Sequence, residues 1–315
     1  MKGEYFFKKN DKMNCVQCIL QLNDSLAFDE MDALLRSIAS DHADVEKERI
    51  VFSFYTEYCL NRFDKFQSIL QKAGFVEKYT NKTSYEFYKS QGKEILVQEN
   101  YPLLIKEYLQ YESQQVSKII TAHQSYTALL EVACADARNM DIALKNNLKY
   151  YGIDFIRENI DKAEKRIKAL NQISTAFVEC ASIFDLSEKK DFIPETEKVL
   201  TFFPFNALGN MGSIISVLKI VLNLNYDIVF SIFKTTDEAN RTRFEYYQNC
   251  GYSNLKCYDD GNGIIFTSSE GLKSIAYFEH YLKTLFETLN CRVTLISDSG
   301  VGALYYLQAS LIPSW

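Results

Sequence analysis

Two residue patterns alternate along the chain from about residue 126 to the end. Short runs rich in β-branched and aromatic residues are followed by amphipathic stretches, an alternation typical of βαβ units and a mostly parallel sheet. The strand-like runs are 127–133, 149–155, 174–181, 198–203, 227–233, 291–296 and 303–309, and the helical stretches lie near 139–147, 157–170, 211–223, 237–249 and 270–289. The alternation predicts an α/β, Rossmann-like fold with a seven-stranded sheet.

The last two strand-like runs are joined by a short segment with two glycines instead of a helix. Strands joined in this way pair antiparallel, so we expect a C-terminal hairpin at one edge of the sheet. The first hundred residues follow a different pattern, with a strand at 13–22, a helix at 28–39, and a strand, helix and hairpin across 49–91. The sequence therefore predicts a smaller N-terminal α+β domain, 1–99, and a main domain, 100–315.

The strongest candidate for a binding site is LLEVACADARN at 129–139, where a buried strand runs into a tight turn and a helix. The next strand ends at Asp154, twenty residues after Cys134. In doubly wound sheets a ligand lies across the carboxyl ends of the strands, and an acid placed in this way accepts hydrogen bonds from ribose hydroxyls. The alternative is structural: the stretch is only a buried strand, and Asp154 caps the helix that begins near Arg157.

This stretch resembles the first motif of the class I S-adenosylmethionine-dependent methyltransferases, in which an acidic and an apolar residue precede GxGxG. The resemblance implies that Glu131 occupies the acidic position and that Asp154 is the ribose ligand. It also implies S-adenosyl-L-methionine as the cofactor, and a parallel sheet that ends in an antiparallel strand. The three glycine positions of the motif are Ala133, Ala135 and Ala137 in this chain.

These alanines are the main departure from the family. Glycine suits such positions because it adopts positive φ and lets the backbone approach a ligand closely. One alanine in a left-handed conformation costs about 1–2 kcal/mol. A ligand with a micromolar dissociation constant binds with roughly 8 kcal/mol, so a loss of this size would weaken its binding about tenfold. Two hypotheses follow: an enzyme that retains cofactor binding, or a degenerate methyltransferase domain that serves as a binding or scaffold protein without catalysis.

The fourth predicted strand runs into FFPFNALGN at 202–210. In the methyltransferase fold this position lines the cofactor and faces the acceptor, and the stretch is loosely similar to the FxGSxxGN segment of the histidine Nα-methyltransferases. The resemblance implies cofactor contacts from Pro204 and Phe205, and contacts to an amine or carboxylate of the acceptor from Asn206 and Asn210. Alternatively, the two asparagines are turn or cap residues of the following helix.

The other cofactor contacts implied by the resemblance come from the ends of the first three strands. They are Ala133, Cys134 and Ala135 in the turn, Phe155 after the second strand, and Cys180 and Ala181 after the third. Many relatives place an acidic residue beside the adenine at the third position, whereas the nearest acid here is Asp185. A hairpin at 253–268 and the N-terminal domain are expected to help form the acceptor pocket.

Charge and cysteine content argue against several other functions. A net charge of −6 and a pI near 5.3 oppose binding to nucleic acid or anionic lipid. The most apolar stretch, 214–233, is interrupted by a lysine, two asparagines and an aspartate, which are costly in a membrane. Eight scattered cysteines, several in apolar runs, favour a reducing cytoplasm. Cys15 and Cys18 form an isolated CxxC without further ligands nearby, so no metal site is expected.

The resemblance implies an enzyme that transfers a methyl group to a nitrogen or oxygen of a small molecule, and the cysteine content predicts that it is cytoplasmic. We expect no partnership with nucleic acid or membrane, and a homodimer is compatible with the sequence. Methyl transfer from a sulfonium depends mainly on alignment and desolvation. A general base is therefore optional, and the sequence assigns no catalytic residue.

Overall fold

The computed structural model describes residues 3–10, 15–22, 42–46, 49–55, 75–77 and 87–309, except 187, 190, 212, 213 and 290. The chain divides into two compact units, Met1–Thr83 and Ser84–Trp315. The predicted helix at 28–39 lies outside the described residues. The candidate site belongs to the larger unit.

The smaller unit contains a five-stranded sheet. Its strands are β1 (Gly3–Asn10), β2 (Cys15–Leu22), β3 (His42–Glu46), β4 (Arg49–Tyr55) and β5 (Phe75–Glu77), in the order β3-β4-β2-β1-β5. The pairings are antiparallel except that between β1 and β5, which is parallel. The predicted strand at 13–22 is confirmed by β2, and the predicted strand from residue 49 is confirmed by β4.

The larger unit alternates helices and strands. Two 3-10 turns, Gly92–Leu96 and Gln98–Asn100, precede the first long helix. The helices are α1 (Leu103–Ala122), α2 (Met140–Lys145), α3 (Arg157–Ala169), α4 (Ala207–Asn210), α5 (Ile214–Asn223), α6 (Asp237–Asn249) and α7 (Glu279–Leu289). The strands are β6 (Ala128–Val132), β7 (Lys149–Asp154), β8 (Ala176–Cys180), β9 (Val199–Phe203), β10 (Asp227–Phe233), β11 (Lys256–Asp259), β12 (Gly263–Thr267), β13 (Lys273–Tyr277), β14 (Arg292–Asp298) and β15 (Gly302–Gln308).

Seven of these strands form the main sheet, in the order β14-β15-β10-β9-β6-β7-β8. Five neighbouring strands of this sheet are parallel, namely β8, β7, β6, β9 and β10. The strand β15 is antiparallel to both of its neighbours, β10 and β14. If the five parallel strands are numbered by their position along the chain, their order across the sheet is 3-2-1-4-5, as in doubly wound sheets. The direction of winding reverses between β6 and β9. The predicted Rossmann-like fold and its C-terminal hairpin are confirmed.

Both faces of the sheet are buried, which explains why its central strands are apolar at nearly every position. In β6, Leu130 packs in one core cluster and its neighbour Leu129 in another, because successive side chains point to opposite faces. The apolar face of α3, formed by Ile160, Ala163 and Ile167, packs in the second cluster. No helix among the described residues has the length and apolar character needed to cross a membrane.

Two predicted elements were wrong. The helix expected near 270–289 is the strand β13 followed by α7; positive φ at Gly271 interrupts the helical path, and β13 pairs antiparallel with β12. The last part of the segment 49–91 was expected to be a hairpin, but residues 87–90 are helical. The predicted hairpin at 253–268 is confirmed by the antiparallel pair β11 and β12, which β13 extends to a small three-stranded sheet.

Candidate functional site

The turn after β6 alternates in handedness. Ala133, Ala135 and Ala137 have φ of 60°, 50° and 58°, whereas the residues between them do not have positive φ. An L-residue in this region costs about 1–2 kcal/mol, because its Cβ approaches the carbonyl oxygen. The three alanines therefore adopt the left-handed conformation that glycine adopts without strain.

Asp154 at the end of β7 holds this turn. Its Oδ2 accepts hydrogen bonds from the Ala135 amide (3.0 Å) and from Nδ2 of Asn159 (3.3 Å), and its Oδ1 accepts one from the Ile156 amide (2.8 Å). The side chain is 6% exposed, and burial raises the pKa of its carboxyl although the three donors oppose the shift. The predicted juxtaposition of turn and acid is present, and the helix cap is Ile156, without a side-chain cap bond.

Glu131 lies beneath the turn. Its two oxygens accept hydrogen bonds from the Tyr150 hydroxyl and from Nδ2 of Asn139, each at 2.6 Å. The side chain is 1% exposed, and burial raises its pKa to about 8 against the opposing effect of these bonds. Gly152 makes room for this arrangement, since a Cβ there would lie 2.9 Å from both the Cys134 Sγ and the Tyr150 hydroxyl. Glu131 thus supports the turn from below.

The ends of β7 and β8 meet beside Asp154. The Ala181 amide donates to the Asp154 carbonyl oxygen (3.1 Å), and the Cys180 Sγ lies 3.8 Å from the carbonyl oxygen of Phe155. The Phe155 side chain is 38% exposed. Cys134 is buried, which raises the pKa of its thiol well above the usual value, and its Sγ lies 3.9 Å from the Ala135 carbonyl oxygen within the turn. The structure thus brings together the residues that the sequence picked from the first three strands.

The loop after β9 contains two more left-handed residues. Pro204 is buried, and Phe205 and Asn206 have φ of 45° and 58°. Nδ2 of Asn206 donates to the Ser274 hydroxyl (3.1 Å) and to the Ile275 carbonyl oxygen (3.0 Å) of β13. The Asn206 Oδ1 accepts the amide hydrogen of Phe233, at the end of β10 (3.2 Å). The side-chain amide of Asn206 therefore connects the loop to β10 and β13, as a turn residue would.

Asn210, the second acceptor-side candidate, ends the short helix α4. Its Oδ1 is buried and has no hydrogen-bond partner among the described residues. A buried acceptor without a donor is unfavourable unless another group satisfies it. Asn210 is thus the better of the two asparagines for contacting a ligand.

Aromatic rings surround the β9 loop. The ring of Phe205 lies 5.6 Å from that of Tyr101, 5.5 Å from that of Phe233 and 5.6 Å from that of Tyr246. Arg138, one residue after the alanine turn, donates to the Tyr101 hydroxyl (2.7 Å) and to the Leu96 carbonyl oxygen (3.1 Å). These contacts connect the turn after β6 to the loop after β9, across the point where the strand order reverses.

Glu112 on α1 is a site residue that the sequence did not reveal. It is 2% exposed, and its Oε1 accepts hydrogen bonds from the Phe205 amide (2.9 Å) and from the Ser231 hydroxyl. Burial raises its pKa to about 7, although both donors oppose the shift. The available signal was helical spacing, since Tyr108, Glu112 and Val116 occupy one buried face of α1.

No protein-family model and no curated protein sequence matches this chain. Several solved structures align with it. One is an S-adenosylmethionine-dependent methyltransferase from Clostridium acetobutylicum, 11% identical, with 73% of this chain and 99% of that chain covered and a TM-score of 0.44. Another is the magnesium protoporphyrin IX methyltransferase of Synechocystis with bound S-adenosylhomocysteine, 8% identical, covering 72% and 99%, with a TM-score of 0.48. The Burkholderia thailandensis 1,6-didemethyltoxoflavin-N1-methyltransferase is 11% identical, covering 93% and 95%, with a TM-score of 0.45.

Proposed function

We propose that this protein is an S-adenosylmethionine-dependent methyltransferase that acts on a small molecule. The observation that carries the proposal is the turn after β6, where three alanines adopt the left-handed backbone expected of glycines. The Ala135 amide in that turn bonds directly to Asp154. The pair lies at the carboxyl ends of adjacent parallel strands, next to the point where the strand order reverses, which is where doubly wound sheets bind ligands.

The residues at this edge fit an adenosyl group. A carboxylate has about four acceptor positions, and Asp154 uses three of them, which leaves one for a ribose hydroxyl. The exposed ring of Phe155 offers a face to the adenine, with Cys180 and Ala181 beside it. The backbone of 133–135, with Pro204 and Phe205 opposite, would border the methionine part. The bound cofactor would supply an electrophilic methyl group with a neutral thioether as its leaving group.

The same geometry disfavours a dinucleotide. Phosphate-binding turns present free backbone amides to an anion. Here the Ala135 amide already faces the carboxylate of Asp154, and the whole chain carries a net charge of −6. A pyrophosphate would meet like charge at the turn, whereas a sulfonium compound without phosphate would not.

The acceptor side is proposed in coarser terms. Asn210 has a buried oxygen without a donor among the described residues, and the partly buried ring of Phe205 lies five residues before it in the sequence. We infer an acceptor with a nitrogen or oxygen nucleophile, for which a histidine-like amine is one option. The free cysteines of the larger unit suit a cytoplasmic location. The homodimer stays a prediction.

The second candidate function is a binding or scaffold protein without catalysis. The specific observation in its favour is the occupied turn: three strained alanines and an acid with most of its acceptor positions already in use. This candidate predicts a folded protein with no affinity for the cofactor. The measurement that separates it from the first candidate is the affinity for the cofactor.

Calorimetry and thermal unfolding with S-adenosylmethionine and S-adenosylhomocysteine distinguish the two. Ligand at 100 times its dissociation constant adds about 2.7 kcal/mol to the unfolding free energy. We expect stabilisation of the wild-type protein, and its loss in Asp154→Ala, because the turn loses its anchor and the ribose its acceptor. Asp161→Ala, on the exposed face of α3, is the matched control and should keep it. No heat and no shift with either ligand at millimolar concentration would leave the scaffold as the function.

A further inference from the structure

Three buried carboxyl groups lie near the carboxyl ends of the central strands, and they differ in how many of their oxygens accept hydrogen bonds from the protein. Asp154 and Glu131 each have both oxygens in hydrogen bonds. Glu112 has two donors on Oε1, the Phe205 amide and the Ser231 hydroxyl. In the described part of the chain, no donor bonds to its Oε2. Among the three, Glu112 is therefore the carboxyl with one whole oxygen that accepts no hydrogen bond from the described residues.

Its position is fixed from two sides. The Phe205 amide belongs to the loop after β9, and Ser231 lies within β10, so Oε1 is held at the ends of two neighbouring strands. The titratable groups that face Glu112 are Tyr108 on its own helix and Glu131 on β6. Neither is a cation, so nothing described around Glu112 favours its ionised form by charge.

We propose that Glu112 is the proton acceptor of the methyl transfer, with Oε1 anchored by the protein and Oε2 turned to the acceptor. This rests on the methyltransferase function proposed above. In the step, the lone pair of the acceptor nitrogen or oxygen forms a bond to the methyl carbon. The carbon–sulfur bond breaks and its electron pair stays on sulfur, giving S-adenosylhomocysteine. The proton of the acceptor atom moves to Oε2, and a neutral carboxylic acid results.

The protonation state of Glu112 is expected to depend on whether the methyl donor is bound. Because Glu112 is buried and has no cation beside it, its pKa lies near 7 and a large share of the molecules hold it protonated at neutral pH. A nearby sulfonium charge favours the carboxylate, so binding of the donor ionises Glu112. A base with a pKa near the working pH is effective in proton transfer. The carboxylate then forms when the methyl group is in place.

The proposal also restricts the acceptor. The nucleophilic atom must carry a proton that it loses during the reaction, as a hydroxyl, a neutral primary or secondary amine or a heteroaromatic N–H does. Tertiary amines and thioethers carry no such proton and would gain nothing from Glu112.

Calorimetric titration at pH 6 and pH 8 tests the inference without measuring turnover. With a pKa of about 7, the ionised fraction of Glu112 rises about tenfold between these values, and we expect the affinity of the wild-type protein for S-adenosylmethionine to rise by about that factor. S-adenosylhomocysteine has no sulfonium charge, so its affinity should change little. Glu112→Gln should bind S-adenosylmethionine with a smaller dependence on pH than the wild type.

The control is Glu107→Gln on the exposed side of α1, which should behave as the wild type. If Glu112→Gln does not fold, titration of the wild type at pH 7 in two buffers of different ionisation enthalpy counts the protons directly. Release with S-adenosylmethionine but not with S-adenosylhomocysteine is the expected result. An equal proton count for the two ligands, or a Glu112→Gln variant with the wild-type pH dependence, would overturn the inference while the methyltransferase proposal stands. Absence of binding by either ligand would overturn both.

Discussion

At the scale of single residues, the turn after β6 stores strain where the ligand is proposed to bind. Ala133, Ala135 and Ala137 are all left-handed, and the bond from the Ala135 amide to Asp154 holds the middle one. The strain persists because the surrounding strands determine the path of the chain. The turn is thus shaped by its neighbours and not by the preference of its own residues.

Replacing one of these alanines with glycine should stabilise the protein. In Ala133→Gly, relief of about 1–2 kcal/mol of strain exceeds the roughly 0.5–1 kcal/mol that glycine costs in entropy. We expect the unfolding free energy to rise by up to about 1 kcal/mol. Ala163→Gly, in the right-handed interior of α3, is the matched control and should lower it by about 1 kcal/mol or more. Chemical denaturation measures both, and equal losses in the two variants would contradict the strain at 133.

The sequence pointed to strain in this turn, because alanine stands at three positions where the resembling motif has glycine. Glu112 and Asn206 show where such reasoning ends. Glu112 bonds to Phe205, 93 residues away, and Asn206 bonds to Ser274, 68 residues away. Neither partner is implied by local spacing. Contacts of this kind depend on how the elements pack, which periodicity does not encode.

At the scale of elements, the small sheet β11-β12-β13 is fastened to the main sheet by a buried cation. Arg243 on α6 donates to the Ile264 carbonyl oxygen (3.2 Å) and to the Ser274 carbonyl oxygen (2.9 Å). Its guanidinium lies 5.2 Å from the ring centroid of Phe233 and 4.5 Å from that of Phe266. Burial lowers its pKa. The strand β13 escaped the sequence analysis because its residues continue the apolar spacing of α7, and only its pairing with β12 reveals it.

Arg243→Lys should therefore loosen the small sheet. Lysine keeps the charge, but a single ammonium cannot reproduce the planar fork that reaches two carbonyl oxygens. Loss of one bond to a charged donor should destabilise the protein by about 1–3 kcal/mol. Arg241→Lys, two residues earlier and exposed, should stay within about 0.5 kcal/mol. Equal unfolding midpoints for the two variants would show that the fork contributes nothing.

At the scale of the whole molecule, buried acids make stability depend on pH in an unusual direction. Burial raises the pKa values of Glu112, Glu131 and Asp154, to about 7 for Glu112 and about 8 for Glu131. The folded state then holds these protons more tightly than the unfolded chain does. This contribution to stability is fully present below the ordinary pKa values, 4.5 for the two glutamates and 3.8 for Asp154, and is lost as the pH rises through the folded pKa of each group.

Glu131→Gln removes one of the three groups that make the unfolding free energy depend on pH. We expect the wild-type unfolding free energy to fall between pH 5 and pH 8, and the fall to be smaller in the variant, because glutamine does not ionise. Glu164→Gln, exposed on α3, should retain the wild-type slope. Denaturation at several pH values measures the difference. A variant whose slope equals that of the wild type would mean that Glu131 does not titrate in this range.

The alanine turn has a genetic consequence. Alanine and glycine codons differ at one base, so each of Ala133, Ala135 and Ala137 is one point mutation away from a residue that tolerates its φ. The gene can therefore remove the strain in this turn in separate single-base steps. Selection for heat resistance in the laboratory has a short route open to it at these codons.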